Sequence, residues 1–141
     1  MPVFSSSDQV YAVMKTLLTR LGEKDPQAAQ IITRSRLVLR LQLNQPPAEI
    51  TINGKHHPIE FAFGKSALRP DLELAIGCDA LHYILTGQLK FSKALGSGQL
   101  KLRGPVWKAF VLEDVFRHLQ GLYPVVLREY GIDPPRLKPG P

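Results

Sequence analysis

Five short segments of this 141-residue chain alternate apolar and polar side chains, and this alternation limits the fold more than any other feature. Successive side chains of a β-strand point to opposite faces of a sheet, so each segment predicts a strand with one apolar and one polar face. The segments run from about residue 37 to 43, 50 to 52, 59 to 63, 71 to 76 and 99 to 103. Together they predict an antiparallel or mixed sheet that is covered on one side only.

The dipeptide Asn53-Gly54 predicts a tight hairpin between the second and third segments. A two-residue type I′ turn needs a positive φ at both central residues, which Asn-Gly adopts readily. Such a turn sets Ile52 opposite Lys55 and places the apolar residues of the third segment on the same face as those of the second.

Helical periodicity accounts for most of the remaining chain and supplies the cover for the sheet. The helical segments run from 8 to about 23, from 26 through Ile31 and Ile32, from 79 to 86, and from 107 to 130, with a further turn at Ala94 and Leu95. Asp25 and Pro26 are typical of a cap and a first helical residue. Pro124 is expected to interrupt the last helix.

The composition fits one globular domain, because 44% of the residues are hydrophobic and 21% are charged. We expect a single domain over residues 1–132 and a disordered, proline-rich tail over 133–141. The single cysteine, Cys78, excludes an intramolecular disulfide, and no apolar run approaches the ~20 residues of a membrane span. With no signal-peptide pattern at the N-terminus, we expect a soluble, cytoplasmic protein. Its oligomeric state stays open.

Positive charge is concentrated in one interval of this basic chain, whose net charge is +6. Between Asp79 and Glu113 there is no acidic residue. The cations of this interval are Lys90, Lys93, Lys101, Arg103 and Lys108. This basic block predicts contact with an anionic head group or an anionic membrane surface. Nucleic-acid binding is the less favoured alternative, because no aromatic residues alternate with the cations on a strand face.

Patterns for catalysis or metal binding are weak throughout the chain. His56 and His57 are adjacent on a predicted strand, so their side chains point to opposite faces and cannot readily hold one ion. His82 and His118 stand alone on predicted helices and are expected at the surface or its rim. Cys78 has no patterned base near it. We therefore predict no catalytic residue, no metal and no cofactor.

Three motifs follow one another in the second half of the chain. They are a strand opening with Pro70-Asp71, a helix ending in Thr86-Gly87-Gln88-Leu89, and a strand Gly98-Gln99-Leu100-Lys101-Leu102-Arg103-Gly104. In this order they resemble the sterol carrier protein 2 (SCP2) domain, in its small bacterial single-domain form. The resemblance is best from about residue 70 to 110 and extends over 8 to 131. It implies an α/β fold with a five-stranded sheet, helices on one face, and an enclosed apolar tunnel.

The resemblance also implies a function, namely non-catalytic binding and transfer of a hydrophobic ligand such as a fatty acid, an acyl-CoA or another lipid. The C-terminus does not end in a peroxisomal Ser-Lys-Leu signal, and an acyl chain is expected rather than a sterol. The implied tunnel residues come from strands and helices: Phe61, Phe63, Leu74, Ile76, Leu81, Leu85, Leu95, Trp107, Phe110 and Val111. The alternative is an accessory domain for an acyl-processing enzyme, with a packed core and no ligand of its own.

Overall fold

The computed structural model describes residues 3–132, so the predicted tail over 133–141 lies outside the described residues. Within this range the chain forms five strands and five α-helices. Their order is α1 (Ser7–Lys24), α2 (Pro26–Ser35), β1 (Val38–Asn44), β2 (Ala48–Asn53), β3 (Glu60–Phe63), β4 (Leu72–Gly77), α3 (Cys78–Leu85), α4 (Phe91–Ser97), β5 (Leu100–Arg103) and α5 (Ala109–Glu129). A short 3-10 turn, Val106–Lys108, precedes α5. All five predicted strands are confirmed.

The strands form one mixed sheet in the order β3-β2-β1-β4-β5. Strands β1 and β4 are parallel, and the other neighbouring pairs are antiparallel. Leu41 of β1 stands beside Ile50 on one side and Leu74 on the other. The same register continues to the sheet edges, so the apolar side chains of every strand share one face, as the alternation predicts.

The helices cover this apolar face. Helix α1 contacts β2, α3 contacts β4, and α4 contacts β5, while α5 packs against α1, α2 and α3. Buried apolar residues of the sheet and the helices join in one core cluster. Burial of apolar area between the two layers is the main stabilising contribution to such a fold.

The connection between β3 and β4 crosses the opposite, polar face of the sheet. Strand β3 lies at an edge and β4 lies inside, beyond β1 and β2, so the chain must pass over both. Arg40 donates hydrogen bonds to the carbonyl oxygens of Ser66, at 3.3 Å, and Leu68. The amide of Ser66 donates to a carboxylate oxygen of Glu49 at 3.3 Å. The polar side chains of β1 and β2 therefore hold this connection.

The tight hairpin predicted at Asn53-Gly54 is wrong. Strand β3 begins only at Glu60, and Ile52 pairs with Phe61 instead of Lys55. Pro58 has no amide hydrogen to donate, so the strand ladder cannot continue through it towards the turn. The chain makes a longer loop at residues 54–59.

Gly54 has a different structural role from the one predicted. A Cβ atom at this position would lie 2.6 Å from the carbonyl oxygen of Ile32 and 2.7 Å from that of Leu37. The residue is thus a glycine because the loop packs tightly on the end of α2. The predicted shared face is nevertheless confirmed, since Phe61 and Phe63 stand beside residues of the apolar face of β2.

Pro124 does not interrupt the last helix, which is continuous from Ala109 to Glu129. The proline is exposed, whereas Tyr123 and Val126 are buried. Burial of apolar side chains on both sides of the proline stabilises the helix against the loss of one backbone hydrogen bond.

Candidate functional site

The ten residues implied as tunnel lining occupy three environments. Five are buried in the core: Leu74, Ile76, Leu81, Leu85 and Val111. Three pack against the core but are only partly buried: Phe61, Phe63 and Leu95. The last two, Trp107 and Phe110, are exposed by 76% and 60% and lie at the surface. The role of all ten as ligand contacts stays a prediction.

An open apolar cleft of about 590 Å³ lies at the β3 edge of the sheet. Its walls include Leu18 and Leu21 from α1, Ala29 from α2, and Ile59 and Phe61 from the β3 side. Small-molecule pockets in proteins measure about 300–1,000 Å³ and are lined mainly by apolar side chains. The cleft therefore has the size and lining of a site for an apolar ligand.

The cleft exists because the helices leave the β3 edge incompletely covered. Ile59, Phe61 and Phe63 are partly buried, whereas the apolar residues of β1 and β4 are buried. Phe61 and Phe63 lie with their ring centroids 6.4 Å apart. This pair forms an apolar wall at the edge of the sheet.

The corner between α1 and α2 fixes the opposite wall. Asp25 accepts a hydrogen bond from the amide of Ala28 at 3.1 Å, which caps α2, and another from Nδ1 of His118 in α5 at 2.7 Å. Desolvation raises the pKa of Asp25, but hydrogen bonding and electrostatic attraction by His118, together with hydrogen bonds from backbone amides, outweigh it, so the pKa of Asp25 lies below its usual value. Ala28 and Ile32 are buried towards the core, and Ala29 is left facing the cleft.

A second, polar depression of about 530 Å³ adjoins the cleft, and the two share Thr33 and His57. Its lining also contains Arg36, Lys55 and His56. Lys55 lies 3.3 Å from a carboxylate oxygen of Asp71, and His56 lies 2.9 Å from one of Glu60. The ion pairs between described residues do not include Arg36 or His57. The depression is therefore a cationic site beside an apolar one.

This depression was not predicted from the sequence. Its cations come from the end of α2 and from the 54–59 loop, which are far apart in the sequence. The predicted hairpin also placed His57 on a strand. The adjacent basic residues Lys55, His56 and His57 were the available signal.

The structure divides the predicted basic block between two surfaces. Lys101 and Arg103 lie on the polar face of β5, beside Ala75 and Glu73 of β4. Lys90 and Lys93 are exposed at α4, which packs on β5 through the buried residues Phe91 and Ala94. Lys108 lies in the 3-10 turn before α5, so the five cations do not converge on one site.

Two motifs of the family resemblance meet at the end of the sheet where β4 begins. The Asp71 carboxylate accepts a hydrogen bond from the amide of Val38 at 2.8 Å, and a Cβ at Gly104 would overlap the backbone carbonyl of Asp71. The hydrogen bond from Val38 and the nearby Lys55 ammonium lower the pKa of Asp71. These motif residues join β1, β4 and β5 and have a structural role.

His82 was expected at the surface, but it is only 1% exposed. Its Nδ1 lies 2.8 Å from the hydroxyl oxygen of Tyr123, and its Nε2 has no hydrogen-bond partner among the described residues. Burial lowers the pKa of His82 and raises the pKa of Cys78 to about 12. Both side chains are therefore neutral at physiological pH, and the Cys78 thiol is not activated as a nucleophile.

Two further observations concern residues 3–132. No group of three or more histidine, cysteine, aspartate or glutamate residues in this range is placed to hold a metal ion. None of the helices described there is long and apolar enough to cross a bilayer.

The chain was compared with known structures, and the fold is found in several sterol carrier proteins. It is similar to sterol carrier protein 2 from Yarrowia lipolytica, with 20% identity and a TM-score of 0.62, over 85% of this chain and 95% of that chain. Sterol carrier protein domain 2 of Helicoverpa armigera gives 22% identity and a TM-score of 0.64, over 79% and 88%. Palmitated SCP2L2 from Aedes aegypti gives 22% and 0.59, over 77% and 95%. These likenesses establish the fold.

A comparison with curated protein sequences gave no match. The model of one protein family, the SCP-2 sterol transfer family, matches residues 14–117, which is most of the chain. The matched range contains the whole sheet and helices α2, α3 and α4, and it includes parts of α1 and α5. This chain therefore belongs to the SCP-2 sterol transfer family.

Proposed function

We propose that this protein binds a single-chain lipid in the cleft at the β3 edge and carries it without catalysing a reaction. Its family supports lipid binding or transfer in general. The observation that carries the proposal is the apolar cleft of about 590 Å³. Each methylene group that such a cleft removes from water contributes about 0.8 kcal/mol to binding.

The polar depression beside the cleft favours a lipid with an anionic head, such as a fatty acid or an acyl-CoA. With its acyl chain between Leu21 and Phe61, a bound lipid would have its head near the shared residues Thr33 and His57. Arg36 would then be available to the carboxylate or phosphate, because no described carboxylate pairs with it. The palmitated Aedes aegypti protein of the same fold supports a fatty acid as the ligand.

The test compares two tryptophan substitutions on α2. Ala29→Trp fills the cleft, whereas Gln27→Trp adds the same side chain at an exposed position outside it. We expect Ala29→Trp to weaken binding of palmitate to the delipidated protein at least about tenfold. Gln27→Trp should bind like the wild type, and both variants should keep the wild-type melting temperature.

Two results would contradict the proposal. Equal palmitate affinity of Ala29→Trp and the wild type would show that the acyl chain lies elsewhere, for example among the implied tunnel residues. A wild-type protein that binds no fatty acid, acyl-CoA or sterol would favour the accessory domain. The burial of Leu74, Ile76 and Leu85 in the core favours that alternative.

A further inference from the structure

One end of the sheet gathers several loops of the protein. Strands β1, β3 and β4 begin there, and β2 and β5 end there, as the pairs Val38–Asn53 and Glu73–Arg103 require. The segments that meet at this end are 36–37, 54–59, 69–71 and 104–108, followed by the first turn of α5. We call this surface the loop end.

The loop end carries three exposed apolar side chains close together in the sequence. Val106, Trp107 and Phe110 are exposed by 54%, 76% and 60%. The chain around them is anchored, because Val111 and Leu112 of the same helical turn are buried in the core. Large apolar side chains grouped on the surface of a folded domain mark a site of interaction.

Cations surround this apolar group. Lys108 lies within the group, Arg103 ends the strand that leads to it, and Lys55 reaches the same end of the sheet by its contact with Asp71 at 3.3 Å. Two carboxylates lie near these cations: Glu73 stands beside Arg103 in the register of β4 and β5, and Asp71 accepts the hydrogen bond from the amide of Val38. The loop end therefore combines exposed apolar surface with an excess of positive charge.

We propose that the loop end docks on an anionic lipid bilayer. Trp107, Phe110 and Val106 would enter the boundary between head groups and acyl chains, where the amphipathic indole ring is favoured. Arg103 and Lys108 would contact lipid phosphates. The charge pattern selects this occupant over a second copy of the chain, because a symmetric contact at this surface would oppose like charges.

The inference deepens the proposed function. It rests on that function only where it has lipid pass between the cleft and the bilayer. The 54–59 loop belongs to the loop end, and its residues His57 and Ile59 also line the cleft. A docked protein would therefore hold the cleft close to the bilayer surface. A lipid would pass between the two with little exposure of its acyl chain to water.

The test uses the full chain and vesicles of phosphatidylcholine with or without phosphatidylglycerol. Trp107 is the only tryptophan, so its fluorescence reports the environment of the loop end. We expect its emission to shift to shorter wavelength with the anionic vesicles and to be quenched by brominated acyl chains. Vesicle binding should weaken as the salt concentration rises.

Variants separate the two contributions. In vesicle co-sedimentation, which does not depend on a tryptophan, Trp107→Ser combined with Phe110→Ser should lower affinity for the anionic vesicles about tenfold or more. Arg103→Gln combined with Lys108→Gln should lower it and reduce its salt dependence. The matched control is Val125→Ser, which removes an exposed apolar side chain near the other end of α5 and should bind like the wild type.

Each contrary outcome overturns the docking proposal and leaves the cleft to be judged separately. Unchanged Trp107 emission with anionic vesicles, or wild-type binding by the Trp107→Ser and Phe110→Ser double variant, would exclude this surface. A dimer in sedimentation that the same double variant abolishes would assign it to a second copy of the chain. Ala29→Trp should keep vesicle binding while losing palmitate, so a failure of the cleft and a failure of docking are distinguishable.

Discussion

The two edges of the sheet differ in how completely they are covered. At the β5 edge, α4 packs on the sheet through its buried residues Phe91 and Ala94, and Leu100 is buried while Leu102 is partly buried. At the β3 edge, Phe61 and Phe63 are only partly buried, and the cleft opens beside them. The alternation of apolar and polar residues is the same at both edges. The difference therefore lies in the helices, which cover one edge and leave space at the other.

The strongest test of this comparison places a glutamate at two positions of the apolar face, one fully buried and one partly buried. Leu74→Glu puts an unpaired carboxylate where the side chain is 0% exposed, and we expect a loss of about 4 kcal/mol or more, or failure to fold. Phe61→Glu can turn its carboxylate to the water in the cleft and should cost about 1–2 kcal/mol. Urea unfolding of both variants measures the difference.

Lys101→Glu is the control on the polar face, where the free energy of unfolding should change by less than about 0.5 kcal/mol. Equal losses for Leu74→Glu and Phe61→Glu would show that the β3 edge is as closed as the centre of the sheet. The cleft would then have no place in the folded protein.

The two ends of β5, at the covered edge, are expected to differ in how much change in the backbone they tolerate. Gly104 has a φ of +112°, and a Cβ there would overlap the Asp71 carbonyl, whereas Gly98 has a φ of +83° with nothing within 4 Å. Both alanine variants carry the strain of a positive φ, at about 1 kcal/mol, but Gly104→Ala adds a steric clash. We expect it to cost about 2–3 kcal/mol in total. Thermal melts compare the two variants, and equal shifts would contradict the close contact between Gly104 and the Asp71 carbonyl.

The strands could be predicted from the sequence because their signal is local. Alternation assigns Leu41, Ile50 and Leu74 to one face without any knowledge of their neighbours, and the register agrees. The hairpin failed for a non-local reason, since Gly54 is required by the end of α2 and not by its own turn. The dipeptide Asn53-Gly54 favours a type I′ turn locally, but tertiary packing determines which turn forms.

The candidate site was only partly predictable for the same reason. Phe61 was selected as an apolar residue of the sheet, and it lines the cleft. Ala29 and Gly22 line the cleft too, but they contribute by being small, and small residues on a helix carry no distinctive pattern. Trp107 was selected as apolar, although the structure places it on the surface. Hydrophobicity alone does not separate a core residue from an exposed one.

His82 gives the smallest expected effect, and it tests how tightly the covered side is closed. It lies between α3 and α5 with Tyr123, and the rings of Tyr83 and Tyr123 are both within 5.5 Å, at 5.3 and 5.4 Å between centroids. Burial disfavours the imidazolium and lowers the pKa, which the nearby Asp79 carboxylate opposes only in part. The folded protein therefore holds the neutral form.

The pH dependence follows from this lowered pKa. Unfolded His82 takes up a proton as the pH falls through about 6.5, while the folded protein does so only at lower pH. The unfolded state then binds more protons than the folded state. The contribution of neutral His82 to the free energy of unfolding is therefore fully present above pH 6.5 and declines below it. Asp25 and Asp71 also have lowered pKa values, but they lose their contribution only below about pH 3.8, so the two effects are separate.

The variant that isolates this effect is His82→Phe combined with Tyr123→Phe, which removes both hydrogen-bonding partners and leaves no orphaned polar group between α3 and α5. Its free energy of unfolding in urea should fall less than that of the wild type between pH 7.5 and pH 5, because phenylalanine binds no proton. His118→Gln serves as the comparison, since His118 is partly exposed and hydrogen-bonded to Asp25. The double variant keeping the full wild-type decline would mean that water reaches His82. The covered side of the sheet would then be as open as the cleft side.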